Sequence, residues 1–188
     1  MQPQYNMRRL RISLIATILI GINASSHAQL LAYDNKDQIY GAAAVSPDAG
    51  GKLLGKLLAH CSQYGEPVRH AGENSLSTWK QRHQPYLDEN KIIQREITTF
   101  INDPAAPEAQ RKAFKNTFET GVANMIDSQY KTLETSITML SDDKQKASMC
   151  MSYFSSVDAG KWDLRNNDPV VTKFLEERIA ARKKKSDN

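Results

Sequence analysis

The sequence has little of several features that define common protein classes. Its 188 residues include two cysteines, nine glycines and seven prolines, and 7% are aromatic. These amounts exclude collagen-like and low-complexity chains. The main apolar run, residues 12–22, is shorter than the about 20 residues that span a bilayer core. The sequence therefore does not predict a multipass membrane protein.

Motifs for catalysis and cofactor binding are also missing. The sequence has no HExxH, no ExxH pair of the di-iron bundles, no GxSxG, no glycine-rich phosphate loop and no CxxC. Beyond residue 28 only His60, His70 and His83 remain as histidines, and their spacing does not match a metal site. We therefore expect no catalytic, cofactor-binding or metal-binding residues, and a chain that is not an enzyme.

The first 28 residues have the pattern of an export signal. Three arginines precede the apolar run, and Ser26 and Ala28 stand at the −3 and −1 positions of a cleavage site before Gln29. This order is typical of a secretory signal peptide that is removed from the mature protein. An uncleaved N-terminal anchor is the alternative. We expect a periplasmic protein, with secretion as the alternative, and no integral membrane association after cleavage.

The net charge of +4 comes from the two ends of the chain. Residues 29–177 carry 17 basic and 20 acidic side chains, whereas residues 178–188 carry five basic side chains and one acidic. A nucleic-acid interface needs lysines and arginines clustered on the folded domain, so we expect no nucleic-acid partner. Residues 182–188 are expected to form a solvated basic and polar tail, with contact to an anionic membrane surface as the alternative.

The two cysteines of the exported chain, Cys61 and Cys150, predict one disulfide, because disulfides persist in oxidising compartments. Such a bridge closes a loop of about 90 residues and stabilises the fold by roughly 4–5 kcal/mol in the loop-entropy model. Two buried free thiols are the alternative.

Apolar residues recur at helical spacing through most of the mature chain. The pattern predicts an all-α fold, a compact bundle of about five helices, in which residues 68–101 and 107–140 form two long antiparallel helices. Residues 46–181 are expected to form a single domain, preceded by an irregular arm over residues 29–45. Pro85 is expected to kink the first long helix without ending it, because the apolar stripe stays in phase across it.

Several local signals mark the helix boundaries. Ser46-Pro47, residues 141–143 and Asp168-Pro169 combine capping side chains with prolines or acidic residues, a pattern typical of helix starts. Three glycines follow the first of these starts. They either weaken the first turns of that helix or allow another helix to approach it closely; these glycines are Gly50, Gly51 and Gly55.

Three polar residues interrupt the apolar stripes of the long helices, namely His83, Asn90 and Gln129. One hypothesis is a polar pocket between these helices. The other hypothesis, which we favour, places the three side chains at the margins of the stripes, where water reaches them.

The sequence favours a non-enzymatic protein-interaction module of the cell envelope with a protein partner, such as an inhibitor, an immunity-type protein or an envelope accessory protein. A small-ligand or lipid-binding helical bundle is the alternative. The candidate partner surface is the loop over residues 161–167, with Trp162, Leu164 and Arg165, because Trp and Arg are enriched in interface hot spots. Alternatively, Trp162 and Leu164 fold back and cover the end of the bundle.

Overall fold

The computed structural model describes residues 32–186, and this part of the chain is a bundle of helices without β-strands. The helices are, in chain order, α1 (Lys36–Ala43), α2 (Ser46–Cys61), α3 (Glu66–Asn102), α4 (Glu108–Asn116), α5 (Val122–Thr138), α6 (Asp143–Asp158), α7 (Leu164–Asn167) and α8 (Pro169–Ser186). A 3₁₀ turn, Ser62–Tyr64, follows α2, and a π-helical segment, Thr117–Gly121, joins α4 directly to α5. The predicted all-α bundle is confirmed. The predicted signal peptide lies outside the described residues.

The long helix α3 is the axis of the bundle. It has 37 residues, or about 55 Å at 1.5 Å per residue. Pro85 lies inside it, as the sequence predicts. Trp79, Ile93 and Ile97, before and after the proline, are all buried. Burial of this continuous stripe offsets the backbone hydrogen bond that Pro85 removes.

The second long helix, α4 with the π segment and α5, makes its main contact with α3 near their connection. There Phe114 of α4 meets Phe100 of α3 with ring centroids 5.4 Å apart. Further along, α5 packs on α2 and α6, and α3 packs on α2, α6 and α8. The two long helices therefore separate, and α2 fills the space between them.

The predicted disulfide between Cys61 and Cys150 is confirmed, and it joins α2 to α6. Both cysteines are fully buried, with Cα atoms 5.8 Å apart. They belong to an apolar cluster of α2, α3, α5 and α6 that includes Leu57, Leu133 and Phe154. Within residues 32–186, no helix has both the length and the apolar character needed to cross a membrane.

The expected irregular arm over residues 29–45 is wrong from residue 36 onward, where α1 begins. The Asn35 side chain caps α1 by accepting hydrogen bonds from the backbone N–H groups of Asp37 and Gln38. Ala42 and Ala43 are buried, because their small side chains let α1 lie close to its neighbours. The short helix has too few large apolar residues to give a clear helical pattern in the sequence.

The expected tail over residues 182–188 is wrong for residues 182–186, because α8 continues to Ser186. The Arg182 guanidinium, far from being solvated alone, pairs with Glu89 and Glu96 of α3. With α1 at one end and these ion pairs at the other, the folded bundle extends beyond the expected range of residues 46–181.

Candidate functional site

Trp162, the first residue of the expected partner surface, is used by the bundle itself. Its indole Nε1 donates to the Ser156 hydroxyl at 2.7 Å, and its carbonyl accepts from the Trp79 Nε1 at 3.1 Å. The half-buried ring packs edge-on against Tyr153 and contacts two apolar clusters of the core. Trp162 therefore folds back onto the bundle, as the alternative hypothesis states.

Leu164 and Arg165, the other two residues of that surface, differ from each other. Leu164 begins α7, which replaces part of the expected loop, and its side chain is only 7% exposed. This burial corrects the expectation that Leu164 meets a partner. The Arg165 side chain is 70% exposed and pairs with Glu176 at 2.5 Å. For Arg165 alone the role in partner recognition stays a prediction.

His83 lies in the interior of the bundle, whereas the sequence led us to expect it at the margin of the apolar stripe. Its Nδ1 donates to the Trp79 carbonyl at 2.8 Å, and its Nε2 accepts from the Leu164 N–H at 3.0 Å. The imidazole stacks on the Trp79 ring with centroids 4.1 Å apart. Burial lowers the pKa of His83 below its ordinary value of 6.5, although the Trp79 carbonyl and nearby Asp163 favour the charged form. The ring is therefore a neutral structural link between α3 and α7.

Asn90 also contradicts the margin expectation, because it is 1% exposed. Its Nδ2 donates to the Ala43 carbonyl at 2.7 Å and so satisfies a carbonyl at the end of α1. Gln129 is half-buried on α5, and its Nε2 finds no hydrogen-bond partner in the described part of the chain. Of the three polar residues, two therefore hold helices together, and neither opens a polar pocket.

An ion-pair cluster joins α3 to α8 in the same half of the bundle. Glu89, 2% exposed, accepts from the Nε atoms of Arg178 and Arg182 at 2.7 and 2.9 Å. Both arginines also reach Glu96, and Glu96 accepts from the Tyr40 hydroxyl at 2.7 Å. The charges are mutually neutralised, so the cluster fixes α8 and offers no free group for chemistry. Residues 32–186 also contain no group of three or more side chains suited to hold a metal ion.

An open groove lies on the other side of the bundle, between α2 and the start of α5. Its volume is about 680 Å³, which is within the range of about 300–1,000 Å³ found for ligand sites. The groove is lined on α2 by Lys52, Gly55, Lys56 and Ala59, and on the π segment and α5 by Phe118, Glu119, Val122, Ala123, Ile126 and Asp127. We call this surface the α2–α5 groove. A π segment at its wall is notable because such segments occur frequently at functional sites.

The two walls of the α2–α5 groove carry opposite charges. Lys52 and Lys56 line the α2 wall, and Glu119 and Asp127 line the other wall. At one end the walls are joined, because the Lys56 Nζ lies 3.0 Å from an Asp127 carboxylate oxygen. Toward Lys52 and Glu119 no such bridge joins the walls in the described part of the chain. The groove is therefore apolar at its base, with lysines on one rim and carboxylates on the other, and Lys52 also pairs with Asp48 of its own helix at 2.6 Å.

Gly55 distinguishes this wall from the rest of α2. A Cβ atom added at Gly50 or Gly51 would lie 3.0–3.2 Å from the Trp79 ring, so the bundle uses the small size of both residues. A Cβ atom added at Gly55 would meet no atom within 4 Å. Glycine in a helix interior destabilises a helix by about 1 kcal/mol relative to alanine. No packing contact in residues 32–186 offsets this cost at Gly55.

The signal for this groove was present in the sequence but was not sufficient to locate it. Gly51, Gly55 and Ala59 recur every four residues and therefore share one face of α2. The same spacing serves internal packing at Gly51, and only the fold separates the two uses. Comparisons of the chain with protein-family models, with curated proteins and with solved structures return no match.

Proposed function

We propose that this chain is an exported, periplasmic protein-interaction module, without enzymatic activity, that binds its partner in the α2–α5 groove. The observation that carries the proposal is the groove itself: an open apolar base beside a glycine, Gly55, that no internal contact requires. Inhibitors, immunity-type proteins and envelope accessory proteins all act by such binding. The exposed Arg165 lies on a different part of the bundle and is a second, smaller candidate contact.

The open form of the groove favours a protein segment over a small molecule. Sites for small ligands bury about 70–90% of the ligand surface, whereas a groove between two helices contacts one side of its occupant. Helices and extended peptides bind in grooves of this kind through a row of apolar anchors. The volume of about 680 Å³ favours the second candidate, a small-ligand or lipid-binding bundle, and this candidate is tested together with the first below.

Two features support export. Residues 1–28 have the composition of a cleavable signal peptide. The Cys61–Cys150 bridge is the kind of bond that persists in an oxidising compartment and is rare in the cytosol.

Position-specific photo-cross-linking in cells that make the protein natively tests the proposal. A photoreactive phenylalanine replaces Ala123, which is exposed on the groove wall, and in a separate variant replaces Ala180, which is exposed on α8. We expect a cross-linked protein at Ala123, identifiable by mass spectrometry, and none of the same mass at Ala180.

The outcome against the proposal is equally specific. Equal cross-linking at the two positions, or none at Ala123 in folded protein, contradicts a binding function for the groove. A lipid adduct at Ala123 in place of a protein supports the small-ligand alternative.

A further inference from the structure

Resting on the proposed function, we infer that the α2–α5 groove binds one amphipathic α-helix of a different protein, with acidic residues along one flank of its apolar stripe and basic residues along the other. Three properties of the groove lead to this partner: its size, its low wall at Gly55 and the opposite charges of its two rims.

The size of the groove fits a short helix. On α2 the lining residues run from Lys52 to Ala59, and on the opposite wall from Phe118 to Asp127. At 1.5 Å per residue these stretches are about 12 and 15 Å long. A partner helix of two to three turns therefore covers the groove with its apolar face, through anchors at three- and four-residue spacing.

Gly55 and Ala59 determine how closely that helix can lie. Both are on the groove side of α2, one turn apart, and neither carries a side chain beyond Cβ. Helix axes approach most closely where such small residues meet. The opposite wall supplies larger apolar surface from Phe118, Val122 and Ile126. A helix fits this shape when its larger anchors lie over α2, where there is space, and its smaller residues lie over Phe118.

The rims select the charges of the partner. The Lys52 side chain is 58% exposed and pairs with Asp48, one turn earlier on α2, at 2.6 Å. Glu119, exposed on the facing rim, makes no ion pair within residues 32–186. A helix with acidic residues on one flank and basic residues on the other complements both rims at once. A helix with one sign of charge on both flanks meets repulsion on one side. Because reversing the helix exchanges its flanks, the charges also fix its direction in the groove.

Residues 32–186 of a second copy of this chain do not supply such a helix. In the described part of the chain, the large apolar side chains that are exposed are Met139, Met151 and Val170. They lie one each at the end of α5, on α6 and at the start of α8, and they form no stripe along one helix. The described part of the chain therefore favours a different protein as the partner.

Peptide binding to the mature, oxidised protein tests the inference. The probes are three labelled helical peptides of about 14 residues with one leucine stripe: a mixed peptide with glutamates on one flank and lysines on the other, an all-glutamate peptide and an all-lysine peptide. In fluorescence anisotropy at low salt, we expect the mixed peptide to bind about tenfold more tightly than the other two, a typical gain for complementary charge pairs.

Variants locate the binding. Gly55→Leu fills the groove and is expected to weaken binding of the mixed peptide at least about tenfold. The control is Gly41→Leu, the same change at another helix position where an added Cβ meets no atom within 4 Å, and it is expected to leave binding unchanged. Glu119→Lys is expected to transfer the preference to the all-glutamate peptide. If Gly55→Leu does not fold by circular dichroism, Ala123→Leu on the opposite wall replaces it.

Each remaining outcome decides a different point. Equal binding of the three peptides, binding unaffected by Gly55→Leu, or no binding of any peptide overturns the inference. If dodecanoate binds instead and Gly55→Leu blocks it, the occupant is an amphiphile and the inference is wrong. A protein cross-link at Ala123 together with no peptide binding contradicts only the inference that the partner is a helix. Absence of the cross-link contradicts the proposed function itself.

Discussion

Two regions of this bundle contain unusual residues that differ in their contacts. Along α3 the unusual residues are polar and buried, and each of His83, Glu89 and Asn90 has a partner inside the protein. In the α2–α5 groove the unusual residue is Gly55, and it has no packing partner in the described part of the chain. Burial of polar groups is costly unless they are hydrogen-bonded. The first region is therefore explained by folding alone, and the second is not.

This difference gives a criterion for separating structural from functional residues by the contacts of a single chain. A costly residue whose contacts are complete inside the fold serves stability. A costly residue that lines a groove and has open space beside it points to an external partner. By this criterion Trp162 belongs to the bundle, because its ring nitrogen and its carbonyl are both hydrogen-bonded internally, and the α2–α5 groove is the better candidate for binding.

The largest expected effect is at the buried polar residues of α3. Glu89→Ala leaves Arg178, a largely buried cation, without its nearest carboxylate. We expect the free energy of unfolding to fall by about 3 kcal/mol, because removing one partner of a buried ion pair leaves an uncompensated charge. Denaturant unfolding measures the loss. The control is Glu177→Ala on the exposed side of α8, which is expected to change stability by less than about 0.5 kcal/mol. Equal effects of the two substitutions contradict a structural role for the cluster.

Trp162→Ala tests whether the end of the bundle is closed by the loop. The substitution removes the ring that contacts two core clusters and the hydrogen bond to Ser156. We expect a loss of about 2–3 kcal/mol, less than for a fully buried tryptophan, with the mixed peptide still bound by the folded fraction. Loss of partner binding at unchanged stability would instead indicate that residues 161–167 form the partner surface.

The helices were predictable because their signals are local. Asp142 caps α6 by accepting from the Gln145 N–H, and Asp168 caps α8 by accepting from the Val171 N–H, both at positions where the sequence predicts helix starts. The disulfide was predictable because only two cysteines follow the predicted signal peptide. Each of these features depends on residues close in the chain or on simple counting.

The tertiary environment of the polar residues was not predictable in the same way. Asn90 bonds to the carbonyl of Ala43, 47 residues away, and His83 to the backbone of Leu164, 81 residues away. Periodicity places a residue on a helix face and does not show which element covers that face. The α2–α5 groove was missed for the same reason, since it depends on α2 lying between the two long helices.

Acidification tests the buried polar residues of α3 and is expected to have a smaller effect on stability. The pKa of His83 is lowered by burial, so below pH 6.5, its ordinary value, the unfolded chain binds a proton that the folded protein does not. Stability from this group is therefore complete above pH 6.5 and decreases as the pH falls toward the lowered pKa, by at most about 1.4 kcal/mol per pH unit.

The comparison with His83→Gln isolates this contribution. Burial raises the pKa of Asp168, which gives a pH dependence of the opposite sign, and this contribution is the same in both proteins. Urea unfolding between pH 5 and 8 should therefore give a smaller loss of stability on acidification in His83→Gln than in the native protein. Parallel curves would mean that the pKa of His83 is the same in the folded and the unfolded states.

The smallest expected effect on stability is the sharpest test of the contrast between the regions. Gly55→Ala and Gly41→Ala each add one methyl group where no atom lies within 4 Å. Both substitutions are expected to stabilise the fold by about 0.5–1 kcal/mol, because alanine is the better helix former and restricts the unfolded chain. Only Gly55→Ala should weaken binding of the mixed peptide, since its methyl group lies where the partner helix approaches α2. Denaturant unfolding and fluorescence anisotropy on the two variants measure both quantities. A variant that is more stable and binds less well would show that Gly55 is kept for the partner. Unchanged binding at both positions would leave Gly55 without a role in recognition.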